Sequence, residues 1–143
     1  MANKKEGVAL LAAVPLFSGL SQRDLGKLWD SMKAVKHRPG HVIMAEGNTG
    51  LAFQLITNGD VRVERKGKTV TLGPGAFFGE MAIIDGGVRT ATVTAVTEVE
   101  SMALNGSTFK SFVQSKPALM WQLLVHTTAR LRDEQSVTRS LSA

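Results

Sequence analysis

"GPGAFFGEMAIIDGGVRTATV", residues 73–93, holds five of the chain's fourteen glycines in its first fifteen positions, followed by one arginine and a run of threonine, valine and alanine. Glycine lets a backbone approach a phosphate closely, because no Cβ stands between the amides and the ligand. The commonest phosphate cradles fail here on local residues. Gly73, Gly75 and Gly79 give Gly-x-Gly-x-x-x-Gly, one residue too long for a dinucleotide fingerprint, and no parallel strand-helix-strand unit surrounds them. No Gly-Lys-Ser/Thr ending follows for a triphosphate loop. What remains is Gly79 and Glu80, a short apolar piece "MAIID", and then Gly86, Gly87, Val88 and Arg89. With "MAIID" as one helical turn, its first amides are free to donate to an anion, and Arg89 supplies a fixed positive charge.

Glu80 and Arg89 together define a chemistry. A carboxylate beside an anion is repulsive, so Glu80 needs a hydroxyl donor next to that anion, such as a ribose 2'-OH. The planar arginine fork bonds two oxygens and stays charged at any accessible pH. A ligand with a sugar hydroxyl and a monoanionic phosphate a few ångströms apart satisfies both.

Outward from this stretch the texture is that of short strands. "HVIMAEGNTG", "LAFQLITNGD", "VRVERKGKTVTLGPG" and "RTATVTAVTEVESMAL" are brief apolar runs cut by glycine and polar pairs, a pattern that predicts an antiparallel sandwich or barrel. Val61 and Val63 answer Val70 and Leu72 across Lys66 and Gly67, a hairpin signature. The basic residues Arg62, Arg65, Lys66 and Lys68 read as a solvated hairpin tip that discourages edge pairing, rather than as a nucleic-acid patch.

Helical patterns flank the strands. From Ala9 to Met32, Ser21 and Asp24 form a capping pair, and Leu25, Leu28, Trp29 and Met32 recur at helical spacing. From Ser107 a first segment carries Phe109, Phe112 and Val113, and Pro117 opens a second. Met120, Leu124, Thr127, Leu131, Thr138 and Leu141 make a weak heptad there, suited to a dimer seam, to a face packed on the barrel, or to both.

Composition narrows the functional classes. A chain of 143 residues is one ordinary domain with room for a real core. With no cysteine, disulfides and thiolate metal sites are excluded. His37 and His41, near Glu46, lack the His-x-His spacing of a barrel metal site, so no metal is expected. Met44, Met81, Met102 and Met120 read as core filler, and His126 has no carboxylate or nucleophile at catalytic spacing in sequence. No catalytic residues are therefore expected. A formal charge of +5 allows an anionic partner without requiring one. Lys4 and Lys5 ahead of "VALLAAVPLF" loosely copy a secretory signal, but Glu6 weakens the basic end and Pro15 interrupts an apolar run too short to span a bilayer. A cytoplasmic protein without a membrane partner is the expectation.

The stretch "FGEMAIIDGGVRTATVTA", Phe78 to Ala95, resembles the phosphate-binding cassette of the cyclic nucleotide-binding domains found in regulatory subunits of cAMP-dependent kinase, cyclic-nucleotide-gated channels and the catabolite activator protein. "VPLFSGLS" (14–21) is similar to the family's opening turn, "RPGHVIMAEG" (38–47) to its first strand pair and "GDVRV" (59–63) to a core strand. The resemblance implies an α+β fold: an antiparallel β jelly roll, a double-stranded β-helix barrel, flanked by N-terminal and C-terminal helices. A single domain over 1–143 follows, with helices in 1–34, the jelly roll in 35–106 containing the cassette at 77–92, and helices in 107–143.

The resemblance also implies a site made of Gly79, Glu80, Met81, Ala82, Arg89 and Thr90. In it Arg89 holds exocyclic phosphate oxygens, Glu80 accepts from the ribose 2'-OH, and amides of Gly79, Ala82 and Thr90 complete the cradle. Thr90 leans toward tolerance of cGMP without excluding cAMP. Val88, where the family often has proline, and the extra Gly86 and Gly87 predict a looser loop with a larger ordering entropy. Arg130, Arg132 and Glu134 are polar candidates for a base cap, against which Arg130 and Glu134 read as a plain i, i+4 surface pair. The implied function is a non-enzymatic regulatory module for cAMP or cGMP that transmits occupancy through its C-terminal helix, to a homodimer partner or a separate effector protein. Two alternatives stand beside it: a degenerate, ligand-free interaction domain in which Glu80 and Arg89 pair with each other, and the sensor half of a DNA-binding regulator. Only eleven residues follow Arg132, too few for a helix-turn-helix, so a nucleic-acid partner is not expected.

Overall fold

The computed structural model describes residues 3–45, 47, 52–87 and 91–142, with side chains described through Asp133. Two helices come first, α1 (Lys4–Ala13) and α2 (Gln22–Ser31), joined through a 3₁₀ turn at Pro15–Phe17. Asn3 caps α1, its side chain accepting from the Glu6 amide at 2.9 Å, so the first helix starts five residues before the expected Ala9. Pro15, lacking an amide hydrogen, sits where the chain leaves that helix. Ser21 caps α2 as its spacing predicts, accepting from the Asp24 amide at 3.1 Å.

Eight strands follow: β1 (Lys33–His37), β2 (Val42–Met44), β3 (Ala52–Asn58), β4 (Val61–Arg65), β5 (Lys68–Leu72), β6 (Phe77–Phe78), β7 (Thr92–Ala95) and β8 (Val99–Asn105). They form two four-stranded sheets, in the orders β1-β8-β3-β6 and β2-β7-β4-β5, and the described pairings are antiparallel. This is the expected jelly roll. The hairpin register matches the sequence pattern, Val61 opposite Leu72 and Val63 opposite Val70, with Lys66 (φ 50°) and Gly67 (φ 75°) making its two-residue turn. "RTATVTAVTEVESMAL", one run by composition, divides into β7 and β8, which lie in different sheets.

The helix α3 (Glu80–Asp85) interrupts the strands, and α4 (Gly106–Ser115) and α5 (Pro117–Ser142) end the chain. Two cores result. Leu11, Phe17, Leu25, Leu28, Phe53 and Phe109 fill the space between the helices and the first sheet. Ile56, Val61, Phe78, Val93 and Val99 fill the space between the sheets. Strand β3 serves both: alternation sends Phe53 and Leu55 toward the helices and Ile56 into the barrel. The methionines divide: Met44 and Met102 are buried, whereas Met120 is 41% exposed and does not fill the core.

His37 is buried at the end of β1, its ring stacked on His41 at 5.2 Å. Its Nε2 lies 3.3 Å from the Ser101 hydroxyl, which donates to Gln54 Oε1 at 3.0 Å. Among the described residues no cluster of metal-ligating side chains occurs; Glu46 lies outside them. Burial holds the His37 pKa below its ordinary value, the neighbouring His41 lowers it further, and Gln54 opposes both more weakly. A histidine kept neutral by the fold binds fewer protons than it does unfolded. Stability from it is complete above about pH 6.5 and is lost as the pH falls toward the depressed value. Urea midpoints should therefore fall between pH 7.5 and pH 5.5, and a His37→Gln variant should show a flatter profile; equal slopes in both proteins would remove His37 as the cause.

Candidate ligand-binding site

Strand β6 delivers the chain to Gly79, which has φ 101° and ψ −9°. An L side chain is strained in that conformation, so glycine is required for the turn that starts α3. The "MAIID" helix forms as expected, one residue longer, from Glu80 to Asp85, and ends on Gly86, whose amide donates to Ala82 O at 2.9 Å. Asp85 Oδ1 accepts from the Gly87 amide at 2.8 Å.

Glu80 occupies the first turn of α3 and is 1% exposed. The helix start favours its negative charge, but a buried carboxylate also needs partners. Arg130 Nη1 on α5 donates to Glu80 Oε1 at 3.0 Å, and His126 Nε2 stands 3.4 Å from the same oxygen. The His126 contact lacks the alignment of a hydrogen bond, and among the described residues Nε2 has no other partner. Its ring lies 4.8 Å from that of Phe77. Burial alone would raise the Glu80 carboxyl; the facing His126, the backbone amide of Glu80 itself and the Arg130 charge outweigh it and hold the group below its ordinary value. Stability from this charge is therefore present at neutral pH and is lost only in acid.

Two readings of α5 change as a result. His126 does have a carboxylate, supplied from α3 rather than from its own helix. Arg130 bonds across to Glu80; the Glu134 side chain lies outside the described ones. The signal was present in sequence, since His126 and Arg130 are four apart and share one helix face, but nothing local says which carboxylate that face meets. The heptad face does not pack on the barrel where it is described. Leu119 and Leu123 are the buried residues of α5, whereas Leu124 and Leu131 are 54% and 55% exposed.

Gly79, Glu80, Met81 and Ala82 converge on one cavity with Arg130, Met44, Val63, Phe78, Ala91 and Val93. Arg89 and Thr90, and Val88 before them, lie outside the described residues. The cavity measures about 60 Å³, small beside the ~300–1,000 Å³ of ordinary ligand pockets. Arg130 stands on its wall, against Glu80 Oε1.

Residues 34–116 match the family model described as the cyclic nucleotide-binding domain. The chain belongs to this family. This cyclic nucleotide-binding domain is 30% identical over 129 residues to a CRP-like cAMP-activated global transcriptional regulator of Mycobacterium tuberculosis, covering 86% of the chain and 58% of that protein. It is 34% identical over 114 residues to a cAMP-dependent protein kinase regulatory subunit of Schizosaccharomyces pombe, covering 78% of the chain and 28% of that protein. The domain thus spans little more than half of the first of these relatives and less of the second. Among solved structures it is similar to Thermus thermophilus catabolite activator protein, with a TM-score of 0.81, 30% identity and coverage of 90% of the chain and 63% of that protein. No described helix of the domain is long and apolar enough to cross a membrane.

Proposed function

We propose that the chain is a regulatory module that binds cAMP or cGMP and transmits occupancy through α5. The observation that carries this reading is the bond from Arg130 to the buried Glu80 carboxylate. Glu80 is the acceptor assigned to the ribose 2'-OH, and in this arrangement a residue of the last helix holds it. A nucleotide that takes Glu80 displaces Arg130, so α5 loses its tie to α3 when ligand enters. Such a ligand shifts the helix only by its differential affinity for the tied and released states. Arg89 is assigned to the phosphate and Thr90 to the phosphate and base edge. The names of the relatives, cAMP-activated and cAMP-dependent, support cAMP as the first ligand to test.

The exposed stripe of α5, which includes Trp121, Leu124 and Leu131, supports a helix that is read by a second copy or an effector. The role is regulatory rather than catalytic, and a cytoplasmic location suits both the ligand and the relatives. A second reading draws on the same bond: with Arg130 already satisfying Glu80, the domain works as an interaction module that takes no nucleotide.

Melting the protein with cAMP and cGMP in parallel separates the two. A binding module gains about 2.7 kcal/mol at a hundredfold excess over Kd, and the melting temperature rises accordingly. No rise with either nucleotide at millimolar concentration would leave only the second reading.

A further inference from the structure

The groove between α1 and α2 has properties that the nucleotide site does not explain. It measures about 1000 Å³, and its apolar lining is Val8, Ala9 and Ala12, with Gly26 buried beneath the Lys4 side chain. Its walls carry Lys4, Lys5, Arg23 and Lys27 against a single acid, Asp30, which Lys4 already holds at 2.7 Å. Lys5, Val8, Ala9 and Ala12 fall at i, i+3, i+4 and i+7, so they form one face of α1.

That face is on the wrong helix for water. Val8, Ala9, Leu10, Leu11, Ala12 and Ala13 make the C-terminal part of α1 apolar around its circumference, a pattern found in helices that are covered on every side. The fold covers one side only. Gly7 and Leu11 are buried, with the Trp29 ring packed against Gly7, while Ala9, Ala12 and Ala13 are exposed. The small side chains of Ala9 and Ala12 on α1 let a third helix approach at the usual interaxial distance of about 8–10 Å, and α1 offers about 15 Å of length.

We propose that this groove docks an acidic amphipathic helix of a partner protein, its small or aliphatic face on Val8, Ala9 and Ala12 and its carboxylates between Lys5, Arg23 and Lys27. Charge selects the occupant. A second copy of the chain offers no net acidic helix: α1 carries Lys4 and Lys5 against Glu6, α2 carries Arg23 and Lys27 against Asp24 and Asp30, α4 carries Lys110 and no acid, α5 carries Arg130 and Arg132 ahead of its two acids, and the six-residue α3 has Glu80 buried and Asp85 alone exposed. A membrane is a poorer fit, because the groove lining carries no aromatic or leucine side chain to insert among lipid chains. The proposal does not depend on nucleotide binding.

The test uses the full chain and a synthetic helix with an Ala/Leu stripe flanked by glutamates, a lysine-flanked copy as control, and phosphatidylserine vesicles. Amide chemical shifts should move along α1 and α2 with the glutamate peptide alone, and binding should weaken with added salt. The exposed double variant Arg23→Glu, Lys27→Glu should bind about tenfold or more weakly, and Ala9→Trp, which fills the groove without changing charge, should also block docking. Any of three results would overturn the proposal: shifts centred on the Arg62–Lys68 hairpin, equal binding of the lysine peptide, or capture by vesicles without capture of the peptide.

Discussion

Phe53→Ala is expected to lower the unfolding free energy by about 3–5 kcal/mol. Phe53 is fully buried on β3 and touches three other aromatic rings: Phe17 of the 3₁₀ turn at 5.9 Å, Phe77 of β6 at 5.6 Å, and Phe109 of α4, stacked at 4.8 Å. Each ring comes from a different element. Removing the central one opens a cavity that none of the others can fill without moving its own helix or strand, so the site has little means of collapsing. For a domain of this size the melting temperature should fall by roughly 10 °C. Urea unfolding of both proteins measures the effect directly. A loss comparable to that of a surface substitution would show that the helices are not held to the sheet through this residue.

The second large effect follows from the proposed function and concerns Glu80, Arg89 and Arg130. Glu80→Ala should weaken cyclic nucleotide binding by about 10- to 100-fold, because it removes a charged acceptor from the ligand hydroxyl. Arg89→Ala should abolish most binding through loss of the phosphate fork. Arg130→Met should act in the opposite direction. It frees Glu80 before the ligand arrives and should tighten binding by up to about tenfold, or ~1.4 kcal/mol. The same change should cost the ligand-free protein about 1–2 kcal/mol, since His126 is then the one side chain among the described residues that faces the buried Glu80 carboxylate. The cost is smaller than for a fully enclosed pair, because the Arg130 side chain is 35% exposed. Calorimetric titration of the three variants decides the matter. Weaker binding by Arg130→Met would mean that Arg130 supports the bound state rather than opposing it.

The success and failure of the sequence reading follow the range of the interactions concerned. The Ser21 cap, the Val61/Leu72 and Val63/Val70 register, the α3 turn and the Pro117 helix start all depend on residues within about a dozen positions of one another, and local geometry decides them. The cassette was legible for the same reason, since Gly79, Glu80 and Ala82 form one turn. Composition was a weaker guide to α1, which begins at Lys4 because Asn3 caps it. It also failed for Met120, read as core filler but 41% exposed, and it left open whether the Leu124 and Leu131 stripe faces the barrel or a dimer seam, because an apolar residue on a helix can face a core or the solvent and its neighbours in sequence do not say which.

By itself, then, the sequence determined the family, the two-sided barrel with flanking helices, and the presence of a glycine-led turn carrying a carboxylate. All of these are written in short-range spacing. Only the tertiary structure decided what that carboxylate meets. Glu80 and Arg130 are fifty residues apart, and their contact exists because the fold brings α5 against the start of α3, where a buried negative charge needs a cation.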